Sequence, residues 1–91
     1  LLAWMARHAR ATYAAILAAD RASVRRLGYG NAIAHPYDHA ILPLLSRRDK
    51  ATEVCWGIAA FRAHFGREPD GMWLPELAVD DETLDVLAEQ G

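Results

Sequence analysis

Gly71-Met72-Trp73-Leu74-Pro75-Glu76 is the stretch whose reading decides the fold. Asp70-Gly71 is a turn signal, and Met72-Trp73-Leu74 has strand-like apolar and aromatic content. Pro75 has no N–H to give a central ladder, so the strand is expected to stop there. Side-chain alternation puts Met72, Leu74 and Glu76 on one face, with Trp73 and Pro75 on the other. Glu76 therefore stands where a strand gives way to a loop, on the same face as two apolar side chains. A carboxylate in that position is costly unless it is paired or used. The plainer reading has Glu76 starting a solvated loop or accepting from a neighbouring amide.

Downstream, Asp80 is a good N-cap, and Asp81 and Glu82 complement the positive end of a helix dipole. Val79 and Leu84 have the spacing of a hydrophobic staple, Leu84 and Leu87 are expected inward, and Gly91 suits the C-terminal end. Upstream, a helix is expected from Asp49 or Thr52 to His64. Val54, Ile58, Phe61 and Phe65 mark its buried stripe, and Gly66 ends it. Asn31–His35, between Gly30 and Pro36, reads as a second short strand. His35-Pro36-Tyr37-Asp38-His39 follows as a loop, and Ile41-Leu42-Pro43-Leu44-Leu45 is apolar enough to pack on the domain. Residues 1–27 form one long helix or two, with Thr12 as a candidate cap for the second. Met5, Ala9, Tyr13, Ile16, Leu17, Val24 and Leu27 recur at helical spacing, and Gly28 and Gly30 stop the pattern.

Helix, strand, helix, strand, helix is the order of an α/β chain with parallel strands. The 91 residues are too few to cover both faces of a sheet. The expectation is a helix-rich α/β slice, residues 1–91, of a larger barrel or open sheet. The chain begins at Leu1 and not at Met, which fits a piece of a longer parent. At 53% hydrophobic and 24% charged the composition is globular, not that of a disordered tail or a rod. A formal net charge of −2 offers no nucleic-acid footprint. Cys55 is alone, so no internal disulfide forms, and it reads as an inert buried thiol. No apolar run is long enough to span a bilayer.

In α/β folds ligands gather where strands end, which selects His35–His39 and Glu76. His35 and His39, with Asp38 between them, could share a metal ion, contact a polar substrate, or simply bond to backbone. His8 and His64 read as solvated. Trp56 and Trp73 read as core aromatics between helix and strand. Ser46-Arg47-Arg48-Asp49-Lys50 reads as a solvated helix start.

Trp73-Leu74-Pro75-Glu76 resembles the Trp-Leu-x-Glu signature of glycoside hydrolase family 57, which contains α-amylases, 4-α-glucanotransferases and branching enzymes. Gly30-Asn31-Ala32-Ile33-Ala34-His35, His39-Ala40-Ile41-Leu42-Pro43-Leu44 and the link Phe65-Gly66-Arg67 through Pro69 to Gly71 resemble the same family in order and spacing, over about residues 28–91. The resemblance implies a fragment of a distorted (β/α)7 barrel with α-glucan as substrate, acting by retaining hydrolysis or transfer. It implies Glu76 as nucleophile, His39, His35 and Trp73 as substrate-binding residues, no metal or other cofactor, and a cytoplasmic location. The family's N-terminal His-bearing strand and its acid/base Asp fall outside these residues. Two other readings stand beside it: a metal-dependent polysaccharide deacetylase-like enzyme holding its ion with His35, His39 and Asp38, and a non-enzymatic helical interaction module presenting the Arg-rich first helix. Self-association of the isolated fragment is also expected.

Overall fold

A computed structural model describes residues 1–91. Four α-helices account for most of the chain: α1 (Leu2–His8), α2 (Arg10–Leu27), α3 (Arg47–Phe65) and α4 (Asp81–Gln90). Short 3-10 turns at Leu42–Leu44 and Pro75–Leu77 precede α3 and α4. α4 packs mainly on α3, α1 on α2, and α2 more lightly on α3. No helix is long and apolar enough to cross a membrane.

The caps follow local chemistry. Ser46 Oγ accepts the Asp49 amide and starts α3 slightly earlier than Asp49 or Thr52. Asp80 caps α4 as expected, accepting from the Thr83 amide at 2.8 Å. Gly28 and Gly66 close α2 and α3 with φ of 84° and 67°, a left-handed conformation that only glycine adopts freely. The break in the first helical stretch falls at Ala9 (φ −139°, ψ 54°), and Thr12 lies inside α2. We find no side-chain cap at Ala9 that explains it.

The core is small. Leu42, Val54 and Val86 are fully buried, packed around by Leu45, Ala51, Ile58, Met72, Leu74 and Leu87. Each fully buried aliphatic side chain contributes about 1.5–3 kcal/mol. The apolar Ile41–Leu45 segment packs inward through Leu42, as its composition predicts. On α4, Thr83 and Val86 point inward, while Leu84, expected inside, is half exposed.

The expected barrel fragment does not form. The structure contains no strand and no sheet; the two predicted strands meet in one parallel bridge, Ala34 with Met72. Ala34 N–H donates to the Gly71 carbonyl at 3.2 Å, and Trp73 N–H to the Ala34 carbonyl at 2.8 Å. The parallel pattern explains why pairing stops there. The next rung would need an N–H from Pro36, and the one beyond it an N–H from Pro75; neither proline has one. In the other direction Ala32 is occupied: its N–H donates to Asp20 Oδ1 at 2.9 Å and its carbonyl accepts from Arg67 Nη2 at 3.1 Å. The chain is a helical assembly around a single rung.

Two buried ion pairs complete the frame. Asp20, 1% exposed, takes Arg67 in a fork, with Nε on Oδ2 and Nη2 on Oδ1, both at 2.9 Å. The Arg67 bond, with help from the Ala32 and Asn31 amides, holds the Asp20 carboxyl below its ordinary range against the opposing effect of burial. Arg67 also lies 4.9 Å from the Phe61 ring centre. Lys50, which the sequence placed on a solvated helix start, is 2% exposed. Its ammonium reaches Glu82 at 2.6 Å and Asp80 at 3.4 Å, and these partners, Glu82 first, push its pKa up.

Candidate functional site

Both loops selected by sequence leave the Ala34–Met72 rung from the same end, because the pairing is parallel. Their side chains meet: His39 Nε2–H donates to Glu76 Oε1 at 2.8 Å. The pair is open to solvent, with side-chain exposures of 68% and 63%. The Glu76 backbone is left-handed (φ 57°, ψ 18°), and so is Leu77 (φ 55°). Each such non-glycine residue costs of order 1–3 kcal/mol and persists only where its surroundings impose it. Here Pro75 is buried, the Leu77 amide donates to the Leu74 carbonyl at 3.0 Å, and Ala78 donates to Pro75 at 3.2 Å. The alternation that put Glu76 beside Met72 and Leu74 ends at Pro75, and the turn then aims the carboxylate at His39.

The other predicted site residues lie apart from this pair. His35 is exposed, and its Nδ1–H donates to the Pro36 carbonyl at 2.5 Å. Trp73, read as a core aromatic, is half exposed. His35, Asp38 and His39 do not converge, and no group of three His, Cys, Asp or Glu side chains is placed to hold a metal ion. A cavity of about 420 Å³ is lined by His35, Tyr37 and Asp38 with α1 and the second half of α3, and it excludes His39 and Glu76.

Several expectations about neighbouring residues are corrected. Trp56 is half exposed and meets Tyr37 edge-to-face at 5.8 Å, because it projects from α3 away from the Val54–Phe61 stripe. Cys55 is exposed for the same reason. His64 is not a solvated histidine; its Nδ1 pairs with the Tyr13 hydroxyl at 2.9 Å and ties α2 to α3.

Glu53 and Gly57 went unread in the sequence. The Glu53 carbonyl accepts the Tyr37 amide at 3.0 Å, and Glu53 Oε2 accepts the Asp38 amide at 2.8 Å. A Cβ on Gly57 would fall 2.1 Å from the His35 carbonyl oxygen, so only glycine lets this loop lie on α3. A glycine inside a strong helical stripe was the available signal. Asp20 and Lys50 carried a similar one. Asp20 shares the spacing of Tyr13, Leu17 and Val24, and Lys50 precedes Val54 by one turn, so both charges sit on apolar stripes.

Comparison with known proteins gives two matches. The family model described as Glycosyl hydrolase family 57 matches residues 22–91. A 1,4-alpha-glucan branching enzyme of Thermococcus kodakarensis is 40% identical over 52 residues, 56% of this chain and 8% of its own length. The chain thus spans a small part of that relative. No solved structure matches.

Proposed function

The chain belongs to glycosyl hydrolase family 57, and from that premise we propose that Glu76 is the nucleophile of a retaining reaction on an α-glucan, with hydrolysis or glucan transfer as the outcome. The observation that carries this reading is the His39–Glu76 pair at 2.8 Å, solvent-open and held on a left-handed backbone. The matching 1,4-alpha-glucan branching enzyme supports the substrate class.

Glu76 Oε1 is engaged by His39, which leaves Oε2 to attack the anomeric carbon. The glycosidic C–O bond breaks as the glycosyl–enzyme ester forms, and the departing oxygen takes a proton from a second carboxylic acid about 5 Å away. That acid is supplied from outside these residues. Water, or a sugar hydroxyl for transfer, then returns a proton to the second carboxylate and displaces Glu76. His39 keeps the Glu76 carboxylate oriented and reaches hydroxyls near the cleaved bond. His35, on the same loop, and Trp73, through its exposed ring, contact sugar further out.

The test is Glu76→Gln in the complete protein that contains this chain. A nucleophile acts in the chemical step, so kcat should fall at least about 10³-fold, roughly 4 kcal/mol of barrier, with little change in KM or Tm. Retention of more than about a tenth of wild-type turnover on a maltooligosaccharide defeats the assignment.

A further inference from the structure

We propose that Glu53 is a positioning residue for the His39–Glu76 pair, fixing where the imidazole stands although it touches neither side chain; the proposal rests on the role given to that pair above. His39 is exposed, and the loop before it lies on α3: Pro36 is buried beside Gly57 but has no donor, and His35 bonds to its neighbour's carbonyl. What holds the loop comes from α3. Glu53 takes two successive loop amides, Tyr37 on its carbonyl at 3.0 Å and Asp38 on Oε2 at 2.8 Å. The second of these is the residue just before His39. One turn along α3, Gly57 presents bare backbone to the His35 carbonyl and brings the loop close enough for both bonds. The Ala34–Met72 rung fixes the start of the loop, and Leu42 is buried in the core beyond its end. Between those anchors, the Asp38–Glu53 bond is the constraint nearest His39. A carboxylate accepting an amide N–H makes a charge-assisted bond, stronger than a neutral one.

A residue that acts through another should lose its effect when that other is removed, which a double-mutant cycle measures. In the complete protein, Glu53→Ala should lower kcat about tenfold with KM nearly unchanged, a loss on the scale of a misplaced catalytic group. Glu53→Gln keeps an acceptor oxygen in reach and should stay within about threefold of wild type. Glu53→Asp keeps the charge but withdraws the oxygen by one methylene; it should slow turnover like the Ala variant while keeping Tm near wild type, and it carries the cycle if the Ala variant does not fold. In a His39→Ala background the same Glu53 substitution should cost less than about twofold more. Equal losses in both backgrounds would show that Glu53 serves only the general fold and overturn the inference. Wild-type turnover of the Glu53 variants beside a slow His39→Ala would overturn it alone, whereas wild-type turnover of His39→Ala itself would overturn the functional reading as well.

Discussion

His39 and Glu76 are 37 positions apart in sequence, and His39 Nε2 stands 2.8 Å from Glu76 Oε1. The single parallel rung between Ala34 and Met72 makes this possible. Parallel pairing sends both chains out of the bridge in the same direction, so the loops that follow share one end of the molecule. The turn at Pro75–Leu77 then spends backbone strain to face the carboxylate toward the imidazole.

The two histidines should differ on substitution. With the Glu76 carboxylate no longer oriented by His39, His39→Ala should lower kcat about ten- to hundredfold, the scale of a misplaced catalytic group. His35, engaged with the Pro36 carbonyl and apart from Glu76, should alter mainly KM, by less than about fivefold. Steady-state kinetics on one maltooligosaccharide, with both variants at matched Tm, checks the ranking. Equal kcat losses would refute it.

The strained turn predicts a trade between stability and activity. Leu77 is 72% exposed and left-handed, so its side chain contributes little packing to offset its backbone cost. Leu77→Gly should stabilise by up to about 1 kcal/mol, after glycine's own entropy cost. Chemical denaturation measures it; a loss of stability would mean that Leu77 makes an essential contact.

Gly57→Ala sets two effects against each other. Helix propensity favours Ala by about 1 kcal/mol, but the new methyl would lie 2.1 Å from the His35 carbonyl oxygen. Backbone atoms on both sides cannot yield cheaply, and overpacking of this kind costs about 1–3 kcal/mol or more. Net destabilisation is expected, with a fall in kcat as the loop before His39 moves. A raised Tm would contradict the close approach of α3 to this loop.

Asp20 should make stability depend on pH on the acid side. Its folded pKa lies below the ordinary value of 3.8, chiefly through Arg67. A carboxyl with a depressed folded pKa contributes stability that is complete above its unfolded pKa and is lost as pH falls through the folded one. Stability should therefore drop below about pH 4, and Asp20→Ala should flatten that limb. At neutral pH the variant should cost about 3 kcal/mol, because the Arg67 guanidinium, only 18% exposed, loses both Asp20 oxygens and keeps only the exposed Asp70 as a charged partner. Urea midpoints at pH 3 and pH 7 for both proteins provide the comparison.

Taken alone, the 91-residue chain should self-associate. Leu44 is 79% exposed, Leu77 72%, and Trp4 58%, while the buried core is small. Sedimentation should show a mass that rises with concentration; a concentration-independent monomer would refute the expectation.

What the sequence determined unaided was whatever depends on neighbours along the chain. Ser46, Asp80, Gly28 and Gly66 end helices through bonds to their own next turns, so the helices were legible to within a few residues. The Trp73-Leu74-Pro75-Glu76 motif marked the candidate carboxylate and the family; the alternation of helical and extended segments suggested parallel strands, of which only the parallel sense survives, in one bridge.

Tertiary structure decided the rest, because it depended on partners far along the chain. A strand needs lateral partners with free amides. Pro36 and Pro75 had none to offer, and the Asp20–Arg67 pair consumed those of Ala32, so two strand-like segments stayed a single rung. Lys50 and Asp20 stand on apolar stripes, but what lets each charge be buried there is a partner from another element, Glu82 for Lys50 and Arg67 for Asp20. Glu76's left-handed backbone is disfavoured by its residue type. It persists because tertiary packing buries Pro75 just before it, and the Leu77–Leu74 and Ala78–Pro75 backbone bonds close the turn around it.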